Sequence, residues 1–424
     1  MDFSYTDHQL ELSRRYREIG QRHARRGEMA GFDWRAWRAM TDAGLWRSLL
    51  ARPLEGRFDF VAAFDALTAC QRSIGFAMAV ANQATLIDCL QTMGTQAQRE
   101  KLLPRLLGGE PGATAISECG TGTEIRALQT RLIDDGDGYR LGGDKYNISL
   151  APHASLALVA ARYEEAGHAY TALVMLDTKT PGVVRGEARH TLGVRDLPIG
   201  EFRFDAVRVE HTHLIGTPRD GLRSLMRIAS MNRAYFALIC ANVVKPFLID
   251  ALAYAAGRKI LDVAIDAHQH VQRRLVDIRM RAERSRWMAL GALGQLLSND
   301  PQALESCSIA KMTAAQDLTQ SALDLLALHG SDGYRSGSVA TFVADALAMI
   351  SAGGTEEMHR KNVFAQMQRH RERTASAMAA IATIAATQAS DATPAPENKP
   401  AAERDEIDRP PTIATQAAGG MTNR

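Results

Sequence analysis

Apolar residues recur at helical spacing through the first hundred residues. Phe64, Leu67, Ile74 and Met78 are typical, and few β-branched runs interrupt them, which predicts helices. Pro104 and the cluster Gly108-Gly109…Pro111-Gly112 close this part. From about residue 113 to 217 the character changes. Asp137-Gly138 is a hairpin signal between Arg131–Ile133 and Tyr139–Leu141, and Leu156–Ala160 and Thr171–Leu176 read as strands. Pro181-Gly182 reads as a turn. From Asp220 to about 388 the pattern is helical again, with breaks at Gly330–Gly333 and Gly353-Gly354. The chain thus divides into an N-terminal helical domain (1–112), a middle β domain (113–217), a C-terminal helical domain (218–388) and a tail (389–424). The tail holds Pro394, Pro396, Pro400, Pro410 and Pro411 and few large apolar residues. It cannot bury enough surface to offset its chain entropy, so it is predicted disordered, either as a plain end or as a docking peptide.

Composition changes this picture little. A chain of 424 residues, 46% hydrophobic and 23% charged, can build two or three domains around a large core. The net charge of +2 gives no field for nucleic acid. The five cysteines are scattered without a CxxC pair, so neither a zinc site nor a disulfide framework is expected, and a reducing, cytoplasmic compartment fits. The first residues lack the basic start and apolar run of a signal peptide. No stretch is read as approaching the ~20 apolar residues of a membrane span.

Few short motifs carry chemistry unaided. Gly120-Thr-Gly-Thr123 has the small residues of a phosphate-cradling loop, but neither GxGxxG nor GxxxxGK[ST] occurs. His211 and His213 follow a predicted strand on one face and read as an exposed strand end in preference to a metal pair, so no metal is expected. Neither HExxH nor GxSxG is present. Arg273-Arg274 and Arg279…Arg281…Arg284…Arg286 read as a solvated helix face or as a contact for an acidic partner.

Longer segments resemble one family. Ala344-Asp-Ala…Gly353-Gly-Thr-Glu-Glu357 is similar to the closing motif of acyl-CoA dehydrogenases, Arg-Asp-Ala…Glu-Gly-Thr-Ser-Glu/Gln, and Asp345, Ala346, Gly354, Thr355 and Glu357 match it. Ala115-Ile-Ser-Glu-Cys-Gly-Thr-Gly-Thr-Glu124 resembles the family's flavin loop, and Gly138–Ser149 its Gly-x-x-x-Gly-x-Lys-x-Trp-Ile-Thr segment. Leu192–Val209, Arg258-Lys259, His268-Gln269 and Leu328–Tyr334 match in family order. The resemblance implies an N-terminal helical domain, a middle β-barrel-like domain and a C-terminal four-helix bundle, mainly α, with FAD as cofactor. It implies that Ser117 bonds the flavin ring, that Thr123 meets the pyrophosphate or the thioester, and that Ser149 and Asn147 flank the ring. Asn147 stands where tryptophan is common, and Cys119 replaces a proline and reads as a small buried filler. Arg258, His268 and the Gly330 turn are implied to reach FAD across a subunit boundary, which requires a homodimer or homotetramer. Ala327 replaces the glutamine that often precedes that turn, and Thr355 and Glu357 complete the cofactor rim.

The family's catalytic glutamate falls on Gly353. The alternative place, just before a helical arginine, is Asn232-Arg233, with Arg233 a candidate pocket residue. Removing a proton beside a thioester needs a carboxylate within reach, so three accounts stand. Glu356, Glu357 or Glu118 acts instead; or the reaction oxidises a carbon bearing oxygen and leaves the acidic carbon alone; or the flavin serves oxygenation. The expected function is an FAD-dependent oxidoreductase on an acyl thioester. Carrier protein is favoured over CoA, as in polyketide pathways that convert a glyceryl unit toward a hydroxymalonyl extender. A flavoprotein or O2 accepts the electrons, and no nucleic acid or membrane partner is expected. A non-catalytic FAD- or partner-binding protein is the competing class.

Overall fold

The computed structural model describes residues 5–23, 31–50, 56, 58–121 and 124–390. Thr123 and residues 391–424 of the expected tail lie outside the described residues. Met1–Met367 form one compact unit and Gln368–Arg424 a second. Within the second, residues 368–390 continue a helix that exposes Met378, Ile381 and Ile384.

The first unit opens with helices α1 (Asp7–Arg22), α2 (Trp34–Asp42), α3 (Asp59–Thr68), α4 (Ile74–Met93) and α5 (Gln96–Leu107). α1 and α5 each begin with a capping box, Thr6 with Gln9 and Thr95 with Gln98, which satisfies two otherwise unpaired N–H groups. α4 is buried on nearly every side and runs through the main core.

The middle segment builds a seven-stranded sheet from β1 (Gly112–Ala115), β2 (Arg131–Asp134), β3 (Tyr139–Ser149), β4 (Leu156–Glu165), β5 (His168–Asp177), β6 (Val183–Arg185) and β7 (Ile199–Val209). β2 and β3 form the hairpin that Asp137-Gly138 predicts, closed by Asp135 N–H donating to the Gly138 carbonyl. The strand order is β1-β4-β2-β3-β7-β6, with β5 on the other edge of β4. β5 and β6 do not pair, so the sheet wraps its own core of Leu141, Val159, Val174, Phe202 and Phe204 without closing into a full barrel. β7 ends at Val209, and His211–His213 form a single tight turn instead of extending it. Glu210 N–H donates to His213 Nδ1 while His211 packs on Tyr139, so the two histidines do not present one shared face.

Helices α6 (Gly221–Asn242), α7 (Lys245–Gly257), α8 (Gln269–Leu297) and α9 (Ala303–His329) pack together as the bundle, with the two-residue strands β8 (Lys259–Ile260) and β9 (Val263–Ala264) between α7 and α8. α10 (Ser331–Tyr334), α11 (Ser338–Ala348) and α12 (Glu356–Ser390) follow. Against the sequence reading, Gly221–Gly257 is long and apolar enough to cross a membrane; its apolar window is 72% buried inside the protein, as befits core helices. The arginines of α8 divide: Arg273, Arg279 and Arg284 are exposed, as a solvated face would be, whereas Arg281 and Arg286 are largely covered. Arg281 pairs with Asp324, Arg284 with Asp317 and Arg279 with Glu283, and Arg286 forks onto Asp65 of α3 at 2.5–3.1 Å.

Candidate functional site

Ser117 leaves β1 and is held beside β3 by Tyr146 N–H, which donates to its carbonyl at 2.8 Å. The β3–β7 register slips between Lys145 and Ile148, and Asn147 occupies that bulge with φ +54°. Asparagine tolerates this left-handed conformation better than most residues. Ser117 and Asn147 are exposed and Ser149 is half-buried on the same strand region. Gly120 has φ +94° with no atom within 4 Å of where a side chain would start, so its backbone faces open space. Cys119 is exposed, not the buried filler expected, because its neighbour Glu118 takes the interior.

Glu118 is committed to structure. It accepts from Gln129 N–H (2.6 Å), Thr130 N–H (3.0 Å) and Lys145 Nζ (2.7 Å), and Lys145 also donates to the Ile116 carbonyl at 3.0 Å. Burial raises the Glu118 carboxyl, but these donors outweigh it and leave it below the usual range. Burial pushes Lys145 down to about 8. An acid with three donors on it cannot serve as the base.

The turn after α11 carries position 353. Gly193 lies against the backbone of Ala344 and Asp345 with no room for a side chain, and Val194 N–H donates to Asp345 Oδ1 at 2.5 Å. This locks α11 to the 192–197 loop. Burial, with Asp196 nearby, pushes the Asp345 carboxyl up to about 7. The folded chain therefore holds this proton more tightly than the unfolded one. Its stabilisation is full below pH ~4 and is lost as pH rises toward and through 7. Asp345→Asn is expected to gain on the natural chain by on the order of 2–4 kcal/mol between pH 5 and 8. Urea unfolding at both pH values checks this, and parallel shifts for the two proteins would refute it.

Lys311 of α9 is buried and donates to the carbonyls of Met349 (2.8 Å) and Gly354 (2.8 Å), with Ile350 at 3.5 Å. It caps the end of α11 and clamps the turn. Burial lowers its ammonium to about 8. Gly353 has φ +74°, and a side chain there would start 3.0 Å from Phe236. Arg233 of α6 is buried; its Nε approaches the Gly353 carbonyl at 3.4 Å and its Nη2 the Met358 sulfur at 3.5 Å. His359 is fully buried with neither ring nitrogen partnered. Burial, Arg233 and Lys311 lower it to about 3, so it is neutral. A cavity of about 230 Å³ abuts Lys311, Ile350, Glu356 and His359. Sequence reading missed Lys311 and His359; the signal was a single lysine inside the apolar helix α9 and a histidine one turn beyond Thr355.

The other proposed acids are also engaged. Glu356 pairs with Arg360. Glu357 is exposed, and its own N–H and the Thr355 hydroxyl hold its carboxyl below the usual range. Asn232 accepts from the Thr85 hydroxyl at 2.8 Å. Lys361 Nζ donates to Glu124 at 3.3 Å, which brings the start of α12 to the loop after Ser117. Arg258, His268 and Gly330 gather elsewhere, at one end of the bundle. Ile265 N–H donates to the Arg258 carbonyl and His268 N–H to that of Ile265, while Tyr254 stacks on His329 beside Gly330. All three are exposed.

The helical–sheet–bundle fold is that of flavin-dependent oxidoreductases. The chain belongs to the acyl-CoA dehydrogenase family. Models of the family's N-terminal, middle and C-terminal domains match residues 6–110, 113–207 and 219–368. The probable acyl-CoA dehydrogenase YngJ of Bacillus subtilis is 28% identical over 66% of this chain and 74% of its own. Isobutyryl-CoA dehydrogenase of Dictyostelium discoideum is 28% identical over 66% and 67%. Among solved structures, butyryl-CoA dehydrogenase from Megasphaera elsdenii superposes with a TM-score of 0.81 at 22% identity, covering 87% of this chain and 100% of that one. The prolyl acyl carrier protein oxidase AnaB gives 0.78 at 22%, over 86% and 100%; both likenesses are of fold. FAD is the cofactor, and the residues present fit it: small or polar side chains, exposed at Ser117 and Asn147 and half-buried at Ser149, and the open backbone at Gly120.

Proposed function

We propose that this flavoenzyme oxidises a carbon bearing oxygen on an acyl thioester held by a carrier protein. A glyceryl-type unit on its way to a hydroxymalonyl-type extender in a polyketide or related pathway is the model substrate. The observation that carries this reading is Gly353, a left-handed glycine where the family's motif has its base. The commitment of Glu118 to Lys145 and two backbone N–H groups supports it further, and Glu356 pairs with Arg360. Converting a carbinol to a carbonyl removes two electrons and two protons and leaves the carbon next to the thioester untouched. Bound FAD supplies the two-electron acceptor. Ser117, Thr123, Asn147, Ser149, Thr355 and Glu357 line its ring and phosphates, while Arg258, His268 and Gly330 reach it from a second copy of the chain. Ile260, Leu261 and Val263, which follow Arg258 in the chain, are exposed, and exposed apolar side chains there suit a homodimer or homotetramer contact. AnaB, a fold neighbour, acts on a prolyl carrier protein, which favours carrier protein over CoA. A flavoprotein or O2 takes the electrons onward.

Anaerobic titration of the yellow protein tests this. Glyceryl thioester on carrier protein is expected to bleach the flavin, and butyryl thioester, on CoA or carrier, to leave it unchanged. Bleaching by butyryl thioester would return the enzyme to ordinary desaturation. Indifference to both would point to oxygenation or to a binding role.

A further inference from the structure

Among the described residues Arg233 is the one arginine that is fully buried, and no carboxylate meets it. Other arginines of the helical core are matched: Arg286 by Asp65, Arg281 by Asp324, Arg72 by Asp250, Arg227 by Asp88. Arg233 has instead a long contact to a carbonyl, another to a thioether, and nothing at Nη1. An unpaired buried charge is strongly unfavourable unless something supplies the opposite charge. The surroundings add donors and more positive charge. Both ring nitrogens of His359 are unpartnered, as are the hydroxyls of Ser230, one turn before Arg233, and Ser308, one turn before Lys311. Lys311 spends its hydrogens on the turn's carbonyls and contributes only its field. Glu356, at the start of α12, is paired with Arg360. In the family's motif a glutamate stands at position 353; here only the backbone carbonyl of Gly353 faces the guanidinium.

We propose that Arg233, with the unpartnered His359 ring close to it, is a recognition site for a carboxylate carried on the acyl chain of the thioester. The counter-charge that a resident glutamate would provide arrives with the ligand. This rests on the reading that the acyl end approaches Gly353. It narrows the substrate class to thioesters whose acyl group bears, or acquires, an anionic end. Arg233 is permanently charged and presents several donors in a planar fork suited to a carboxylate.

The test is equilibrium binding of succinyl-pantetheine, its neutral methyl ester and butyryl-pantetheine to the FAD-loaded protein, read by calorimetry and by the flavin spectrum, with no turnover needed. Succinyl-pantetheine is expected to bind about ten- to a hundredfold tighter than either neutral compound, in line with one charge-assisted contact. Arg233→Met removes that preference, and Arg233→Lys keeps part of it. In thermal unfolding without ligand, Arg233→Met is expected to melt no lower than the natural chain and to lose the rise that succinyl-pantetheine produces. Equal affinities for the acid and its ester in the natural protein overturn the proposal, as does a preference that survives in Arg233→Met. If Arg233→Met does not fold, the acid-against-ester comparison and Arg233→Lys still decide. Bleaching by glyceryl thioester with no anion preference defeats this inference alone. An anion preference without bleaching defeats the oxidation reading and leaves this one standing.

Discussion

Gly353→Glu is expected to confer anaerobic bleaching by butyryl thioester on a protein that otherwise ignores it. The variant restores a carboxylate at the place where the family's motif carries one. A positioned base contributes on the order of 10²–10⁴-fold to such a proton transfer. Arg233, 3.4 Å from the Gly353 carbonyl, would keep the new carboxylate ionised. The change has a cost. Gly353 sits at φ +74°, and a new Cβ meets Phe236 at 3.0 Å. A non-glycine residue in this region costs about 1–2 kcal/mol. Pairing with Arg233 offsets part of that, so thermal unfolding should show only a small loss. The same variant should lose any preference for an anionic acyl group, because its own carboxylate now occupies the guanidinium. A folded, yellow Gly353→Glu protein that stays inert to butyryl thioester would show that position 353 does not face the acidic carbon.

Lys145→Met should lower stability by about 3–5 kcal/mol, the typical cost of removing one partner from a buried pair. The ammonium lies 2.7 Å from Glu118, and both side chains are out of water. Methionine fills the space but leaves an ionised carboxylate in the interior with only the amides of Gln129 and Thr130 to answer it. Adding Glu118→Gln should recover part of the loss, since no charge remains and the amide oxygen still accepts from one of those two N–H groups, while the amide nitrogen faces the other. Urea unfolding of the two single variants and the double one measures this. A Lys145→Met protein as stable as the natural chain would mean the pair is solvated, and Glu118 would return as a candidate acid. Loss of flavin should accompany the destabilisation, because Ile116 and Glu118, both held by Lys145, flank Ser117.

Much of this molecule was legible along the chain because the relevant signals are short-range. The Asp137-Gly138 hairpin, the three-part helical, sheet and helical order, and the break at Gly353-Gly354 each depend on neighbours within a few positions. The glycine at position 353 was legible for the same reason: Asp345 to Glu357 is one contiguous motif, and a glycine within it is visible without coordinates. What a side chain meets was not legible. Glu118 looked available until Lys145, 27 residues away, was found on it. The arginines of α8 read as a solvated face or a partner contact, and nothing local told that Arg281 and Arg286 would be taken by Asp324 and Asp65. Cys119 seemed a filler because its residue type favours burial, yet it sits exposed in the turn after β1 while Glu118 takes the interior.

The sequence by itself determined the family, the order of elements and the absence of a glutamate at position 353, because periodicity, turn chemistry and contiguous motifs are written in consecutive residues. Only the tertiary structure decided that Arg233 is buried without an acid, that His359 lies unpartnered beside it, and that Lys311 is consumed in holding the turn. These residues come from α6, α9 and α12, more than a hundred positions apart at the extremes. Burial and charge pairing arise when distant segments exclude water together, and no local pattern encodes which of them will meet.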